Sequence, residues 1–538
     1  MRDTLFHSTA YTDLKIHQGA ECTSTNNEVK SQSMPPFRYF LRDPRLWILF
    51  FILAAYTHLQ FKSRSEVAST TIEASSIKGV WPIVQSTVWK EGPALNQNRR
   101  AHRASLLADG RILVSGGLVG LGTVTQPNRY LSSSELYDPQ RGSWQTIPNA
   151  TARFRHTSTI LPSGEVMLIG GQNDKETLDT TEIFDPNLNV FRPGVSLLKP
   201  RRLHTATVLN NGNVLVVGGY TGQEQSTTYL YPYGPQQLRR VEEIDPRGVQ
   251  KTKVTTLQRP RELHTATRLQ DGRVLVAGGV WGEDTLRDCE MYDPKQQTWK
   301  SVAPMQFPRT RHTATLLPDG RVLVIGGSVG KAIDQVMASP QKEIYASCEI
   351  YDPKTDRWTL TDSMHYPRTA FMNAVLLPQG RVLVGGGFGS VGYESNLSWE
   401  LYDIATGQWI LVGFWSEPIH GHQLVHVPQS SQVYRIGGLS KSFSVPTTEI
   451  WDLAQENIGD LPKVEWMASR TNPGSLTQVQ ITSNFSGGSA TIEPRVGPVL
   501  SGQVSTLTID RTTVFTFRHR MGGYIFTKRF EVQPIPLP

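Results

Sequence analysis

From Arg99 onward one phrase returns seven times: an apolar, β-branched run, a two-residue turn, and a second apolar run closed by Gly-Gly. It is plainest in RHTATLLPDGRVLVIGG, which starts at Arg311. Its relatives start at Ala101, Arg155, Leu203 and Leu263, with weaker copies at Met372 and Ser431. The first glycine of each pair falls at Gly116, Gly170, Gly218, Gly278, Gly326, Gly386 and Gly437, so the separations are 54, 48, 60, 48, 60 and 51. A repeat of this length holds one supersecondary unit, which cannot bury its apolar face alone and must stack on its neighbours.

Each unit divides into four strands. HTATLL and RVLVIGG, joined by Asp-Gly or a close variant, make a hairpin. A segment such as EIYDP alternates as a third strand and ends in an Asp-Pro turn. Trp144, Trp299, Trp358 and Trp409 mark the outer fourth strand. Four antiparallel strands repeated around an axis hide most sheet edges, and the Gly-Gly pairs suit places where backbones approach too closely for side chains. A phosphate-cradling loop would need a helix after the glycines, and none is predicted.

In these motifs the stretch from Val80 to Trp466 resembles kelch-repeat proteins, particularly the bacterial type similar to the propeller of galactose oxidase. The resemblance implies an all-β fold, a seven-bladed kelch β-propeller over residues 80–467. Two points stay open. In the third unit either Tyr229–Tyr233 or Val241–Pro246 supplies the third strand. Upstream, STVWKEGP around Trp89 reads as a fourth strand without a unit of its own. It either completes the last blade or caps the first, the latter if the VEW ending at Trp466 supplies the seventh outer strand.

After Trp466 the period stops. Residues 475–538 carry alternating apolar positions, among them Val479, Ile481, Leu507, Ile509, Phe526 and Val532, between Gly-Gly and Ser-Gly turns. Ser486–Gly502 and Thr513–Phe517 resemble bacterial Ig-like modules, which implies a small β-sandwich.

At the other end lies a run of twelve apolar residues, LWILFFILAAYT from Leu46 to Thr57. It is shorter than the roughly 20 residues of a full span. Arg38, Arg42 and Arg45 precede it, and Lys62 and Arg64 follow. This is the layout of a signal anchor or signal peptide over 46–61, with a polar segment at 1–45 and a linker at 62–79. Met34 offers a start that shortens the leading segment, and Ala68 and Ala74 are candidate cleavage positions. The expected location is therefore outside the cytoplasm, anchored in the membrane by this segment or secreted if it is cleaved.

The net charge is +7, but many of the arginines recur at one repeat position, and no Lys/Arg run reaches the length of a nucleic-acid patch. Nucleic acid is not an expected partner. Three cysteines, Cys22, Cys289 and Cys348, exclude a disulfide framework. Cys289 and Cys348 share one repeat position and read as buried thiols.

Five histidines, His102, His156, His204, His264 and His312, occupy one position in five units, three residues after Arg99, Arg153, Arg201, Arg261 and Arg309. A ring of histidines can hold metal. Yet Glu135, Glu182, Glu290, Glu349, Glu400 and Glu449 recur as faithfully, and features present in nearly every unit belong to the scaffold. Buried Arg–Glu pairs are expected instead. Asymmetry enters where Met372 replaces histidine, where EPIHGHQL brings His420 and His422, and in the polar loops after Gly117, Gly219, Gly327 and Gly387. Asn149, Asn396 and Asn484 begin glycosylation sequons. The copper-radical chemistry implied by likeness to galactose oxidase needs tyrosines at inner-strand starts, where this chain has those histidines and Met372. It also needs a Tyr-His pair, and none occurs; His519 is the sole histidine of the C-terminal unit. No catalytic residue, metal or cofactor is assigned. The reading is a recognition or adhesion module that binds a protein or carbohydrate through its loop faces. The alternative is an extracytoplasmic propeller enzyme acting on carbohydrates, an oxidase or a sugar-acid isomerase.

Overall fold

The computed structural model describes residues 89–532 except 121–126, 149–150, 223–236, 331–342, 371, 390–394, 416, 441–442, 454–462, 470–476, 485–488, 495, 512 and 522–523. The segments 1–45, 46–61 and 62–79 lie outside the described residues, as do the first third-strand candidate, 229–233, and Asn149. No helix among the described residues is long and apolar enough to cross a membrane.

Among the described residues, seven four-stranded antiparallel sheets follow one another, numbered here 1 to 7. Their innermost strands are Arg103–Leu106, Thr157–Ile160, Thr205–Val208, Thr265–Arg268, Thr313–Leu316, Asn373–Leu377 and Gln423–Val427. Each innermost strand lies beside the next, and the seventh lies beside the first, so the sheets close around an axis. The second strands, such as Val322–Ile325, are buried along their whole length, which is why they read as unbroken apolar runs. At the hairpin turn Gly320 adopts φ +91°, a backbone state that glycine reaches without steric cost.

The core is divided among the interfaces between sheets. Leu269, Leu275 and Val302 of sheet 4 meet Val322, Val324, Tyr351 and Trp358 of sheet 5 in one cluster. Each other neighbouring pair, sheets 7 and 1 included, shares a cluster of the same kind.

In sheet 3 the third strand is Arg240–Ile244, which overlaps the second of the two candidates. The strand around Trp89 completes sheet 7: Trp89, Lys90 and Glu91 pair with Trp451, Ile450 and Glu449. Of the two roles open to it, the structure selects ring closure. Because that outer edge is filled, the strand containing Trp466, Lys463–Ser469, pairs instead with Thr477–Asn484. It therefore belongs to the C-terminal unit, and a boundary at 467 would cut through it.

That unit has a three-stranded sheet, Lys463–Ser469, Thr477–Asn484 and Gln503–Ile509. Its four-stranded sheet is Gly497–Val499, Ser489–Glu493, Thr513–Met521 and Tyr524–Val532. Val479, Ile481, Ile492, Ile509, Phe515, Phe517 and Val532 form its single core. The strand Tyr524–Val532 runs beside Gln408–Phe414, the outer strand of sheet 6.

Candidate functional site

The repeated polar residues lock the ring. Arg99, Arg153, Arg201, Arg261, Arg309 and Arg368 are fully buried. Each meets a glutamate on the third strand of its own sheet: Glu135, Glu182 and Glu290 at 2.7 Å, Glu349 at 3.0 Å, and Glu242 and Glu400 in the same way. A second guanidinium nitrogen donates to the carbonyl of the first glycine of the pair, as Arg309 Nη1 does to Gly326 at 2.7 Å. The arginine's own carbonyl accepts from the second glycine of the preceding sheet, as Arg309 O does from Gly279 N at 2.8 Å. One residue thus ties its sheet internally and to its neighbour. Buried charge without such partners would be prohibitive.

The histidines are the complementary part. His156, His204, His264 and His312 place Nε2 at 3.1, 3.1, 3.0 and 2.9 Å from hydroxyls of Ser115, Thr157, Thr205 and Thr265 in the preceding sheet. A Cβ added to the first glycine of that sheet would fall within 2.9–3.0 Å of the imidazole Cε1. This is the close approach that forbids a side chain there. Burial, then the neighbouring Arg99 or Arg309, lowers His102 and His312 to about 3. His156, His204, His264 and His422 are held well below the usual range, again chiefly by burial. Each imidazole sits in its own interface, so the ring does not converge on an ion. Among the described residues no group of three or more His, Cys, Asp or Glu is placed to hold one.

The two irregular units obey the same geometry with different residues. Met372 Cε approaches Gly326 where histidine stands in other sheets, while His422 Cε1 approaches Gly386 as the other histidines approach theirs. In sheet 7 Ile419 takes the place of the arginine. Glu449 is paired instead by Arg435 on the adjacent strand, at 2.7 Å, where other sheets carry valine or leucine. Cys289 and Cys348 are buried free thiols, pushed up to about 12 by desolvation.

Symmetry breaks one residue further on. The residues after the arginine position are Arg100, Phe154, Arg202, Glu262, Thr310, Thr369 and His420. They bridge to Leu118, Gln172, Tyr220, Val280, Ser328, Phe388 and Leu439, just past the Gly-Gly pairs. The next residues, Ala101, Arg155, Leu203, Leu263, Arg311, Ala370 and Gly421, all adopt left-handed φ between +46° and +70°. Their amides chain around the axis: Leu203 donates to Arg155 O, Leu263 to Leu203 O, Arg311 to Leu263 O, Ala370 to Arg311 O and Ala101 to Gly421 O, at 2.8–3.3 Å. The backbone is the same seven times and the side chains are not.

This annulus lies on the face of the ring that carries the Gly-Gly loops. Arg155 stacks over Phe154 and Arg202 over Tyr220, both at 4.9 Å. Glu262, 2% exposed, accepts from Gln237 Nε2 at 3.2 Å. Burial raises its pKa, while the guanidiniums of Arg202, Arg155 and Arg311 pull the other way. His420 stacks on Phe388 at 4.3 Å, and its Nδ1 lies 2.6 Å from Ser395 Oγ. His420 and His422, two residues apart in EPIHGHQL, therefore serve different layers: one faces the annulus and the other locks sheets 6 and 7. Asn396 uses its side chain to hold Ser398 and the Pro367 carbonyl. On the opposite face the repeated turns leave a shallow cleft between sheets 3 and 4, lined by Asn210, Asn211, Asp271, Arg273, Asp293 and Lys295. Its Asp271 and Arg273 pair with each other at 2.7 Å.

A family model described as "Kelch motif" matches residues 99–151, 264–306 and 309–365. A human protein, Kelch-like protein 33, is 27% identical over 119 residues, a stretch covering 22% of this chain and 22% of that protein. The chain therefore matches about a fifth of that relative's length. A solved structure described as a novel fungal alcohol oxidase among the AA5 family, in complex with copper, aligns with a TM-score of 0.53 at 15% identity. The alignment covers 83% of this chain and 100% of that one. It shows a shared fold. The donors here do not fit a copper centre, because the inner-strand histidines are each spent on a separate interface.

Proposed function

We propose that this kelch-repeat β-propeller, seven-bladed and of the bacterial type with an Ig-like appendage, is a recognition module held outside the cytoplasm. In this reading it binds a protein or carbohydrate ligand through its Gly-Gly face. One observation carries the reading: seven superimposable backbone positions on that face bear Arg100, Phe154, Arg202, Glu262, Thr310, Thr369 and His420. The turns of the opposite face keep more of the repeat: glycine closes the hairpin turn in six units, and aspartate ends the third strand in all seven, followed by proline in five. A scaffold keeps its repeats where it must close, and varies them where a ligand is read.

The test is capture by the full-length chain on glycan arrays and from protein libraries. It is run beside a variant carrying Tyr220→Ala and Phe388→Ala on the Gly-Gly face and a variant carrying Lys295→Ala on the other. Capture lost in the first and kept in the second supports the reading; the reverse pattern overturns it. A reporter active only in the cytoplasm, fused after Pro538, is expected to stay silent.

The likeness to a copper alcohol oxidase favours a second reading, an enzyme acting on carbohydrates. The copper-radical form of it predicts peroxide from galactose or other alcohols at stoichiometric copper. None is expected, for want of converging donors.

A further inference from the structure

We propose that the cleft between sheets 3 and 4, on the face opposite the Gly-Gly loops, is a site for a guanidinium group. It stands apart from the reading of the Gly-Gly face and does not depend on it.

The repeat shows what this position holds elsewhere. In sheets 1, 4 and 5 the hairpin turn reads Asp109-Gly110-Arg111, Asp271-Gly272-Arg273 and Asp319-Gly320-Arg321. In sheet 1 the guanidinium crosses to the next sheet. Arg111 Nε donates to Asp109 Oδ2 at 2.7 Å, Nη1 to Asn189 Oδ1 at 2.8 Å, and Nη2 to the Pro186 carbonyl. One arginine thus joins its own turn to the turn between the third and fourth strands of sheet 2.

Sheet 3 departs from this by three substitutions that act together. Its turn reads Asn211-Gly212-Asn213. On its third strand Glu243 stands where the other sheets carry Leu136, Ile183, Met291, Ile350, Leu401 and Ile450. Asn213 Nδ2 donates to Glu243 Oε1 at 2.7 Å and Asn211 Nδ2 to the same oxygen at 3.2 Å. Tyr292 of sheet 4 donates its hydroxyl to Glu243 Oε2 at 3.2 Å. Both asparagine side chains therefore turn inward to a buried carboxylate, and no arginine of sheet 3 crosses to sheet 4.

The place where that arginine would land is the turn Asp293-Pro294-Lys295, which corresponds to Asp185-Pro186-Asn187 of sheet 2. It lines a cleft of about 330 Å³. That volume is at the lower end for ligand clefts and suits one group of side-chain size. Asp293 Oδ1 accepts from the amides of Lys295 and Gln296 at 2.8 and 3.2 Å, while Oδ2 accepts no hydrogen bond among the described residues. Arg273 is held by Asp271 at 2.7 Å and reaches Asp293 only through its field. A guanidinium entering from solvent meets the Asp293 carboxylate and the Pro294 carbonyl, the two kinds of acceptor that Arg111 uses from within the chain. Its planar fork of donors matches such a set better than a point charge does. Lys295 at the same cleft opposes any cation, so the ligand is held by directed hydrogen bonds rather than by charge alone.

The experiment titrates the full chain, at constant ionic strength, with N-acetyl-arginine amide, free arginine, N-acetyl-lysine amide and N-acetyl-citrulline amide, read by calorimetry. Saturable binding of at least one arginine compound is expected, about tenfold or more tighter than the lysine and citrulline compounds. Asp293→Asn keeps the acceptor that orders the turn and is expected to weaken binding about tenfold or more. Lys295→Ala is expected to leave binding unchanged or tighten it. A variant carrying Asn211→Asp, Asn213→Arg and Glu243→Leu rebuilds the pattern of sheet 1. It is expected to keep the thermal midpoint and lose the binding, because its own guanidinium fills the cleft. Flat titrations for both arginine compounds, equal binding of the citrulline compound, or binding unchanged in Asp293→Asn overturn the proposal. Should the triple variant fail to fold, Asp293→Asn decides alone. Whether the free or the blocked arginine binds more tightly tells a free metabolite from an arginine carried on a chain.

Discussion

A methyl group added to Gly278 would fall 2.5 Å from the Arg309 carbonyl and 2.9 Å from His312 Cε1, at φ +62°. Gly282, at φ +57°, has nothing within 4 Å of the same atom. Gly282→Ala therefore reports backbone strain alone, about 1–2 kcal/mol, while Gly278→Ala adds overpacking of about 1–3 kcal/mol. Urea midpoints of the two variants measure the difference, and equal losses would refute the interlock. Six imidazoles give a second residue-level expectation. A histidine held neutral by burial lets the unfolded chain bind a proton that the folded chain refuses, below the ordinary pKa of 6.5. Stability is then full above that pH and falls as pH drops from there toward the lowered folded values, by up to about 1.4 kcal/mol per pH unit for each such group. The loss between pH 7 and 5 is expected to be steep, and shallower in a variant carrying His204→Gln and His264→Gln. A slope unchanged by those substitutions would place the acid sensitivity elsewhere.

Trp89 connects residue to element, since three residues, Trp89–Glu91, decide whether sheet 7 has an outer edge. Its ring centroid lies 5.8, 6.0 and 5.9 Å from those of Trp399, Trp415 and Trp451. Trp89→Ala is expected to cost about 3–5 kcal/mol. Its unfolding should be followed by a red shift of tryptophan emission at lower denaturant, because Trp399 and Trp451 are fully buried only while that strand is in place. An unshifted midpoint would mean the ring does not depend on the strand. How much of this could be read from residues alone follows from what each signal encodes. Gly-Gly, Asp-Gly and the β-branched runs report local backbone needs, so the strands of most units were legible. The place of Trp89 was not, because pairing across the whole ring leaves no local mark and two partners fitted equally. Arg435 was hidden for a related reason. From a neighbouring strand it takes over the pairing lost where Ile419 replaces the arginine, and alignment by motif cannot follow a role that changes strands. The annulus was invisible as well: left-handed φ at Leu203, Leu263 and Arg311 runs against the habit of those residue types. It is imposed by the ring rather than chosen locally. Its variable side chains are the part of the candidate site that motif comparison skips, since it attends to what recurs.

For the whole molecule, a core divided into separate interfaces makes each sheet dependent on both neighbours. Deleting Gln423–Asp452 should unfold the remaining sheets together, seen as loss of the single main transition in calorimetry. A six-sheet fragment that stays monomeric and melts as the parent does would contradict this. The clasp at Trp89–Glu91 also has a mechanical meaning. It is the first described strand of the chain, and it holds the circle shut through three residue pairs. Tension applied to the chain upstream of Trp89 therefore arrives first at the fastening that keeps the ring closed, before it reaches any complete sheet. A tether attached on that side would hold the ring by its latch, and a steady pull there would open the outer edge of sheet 7 while the other six sheets were still whole.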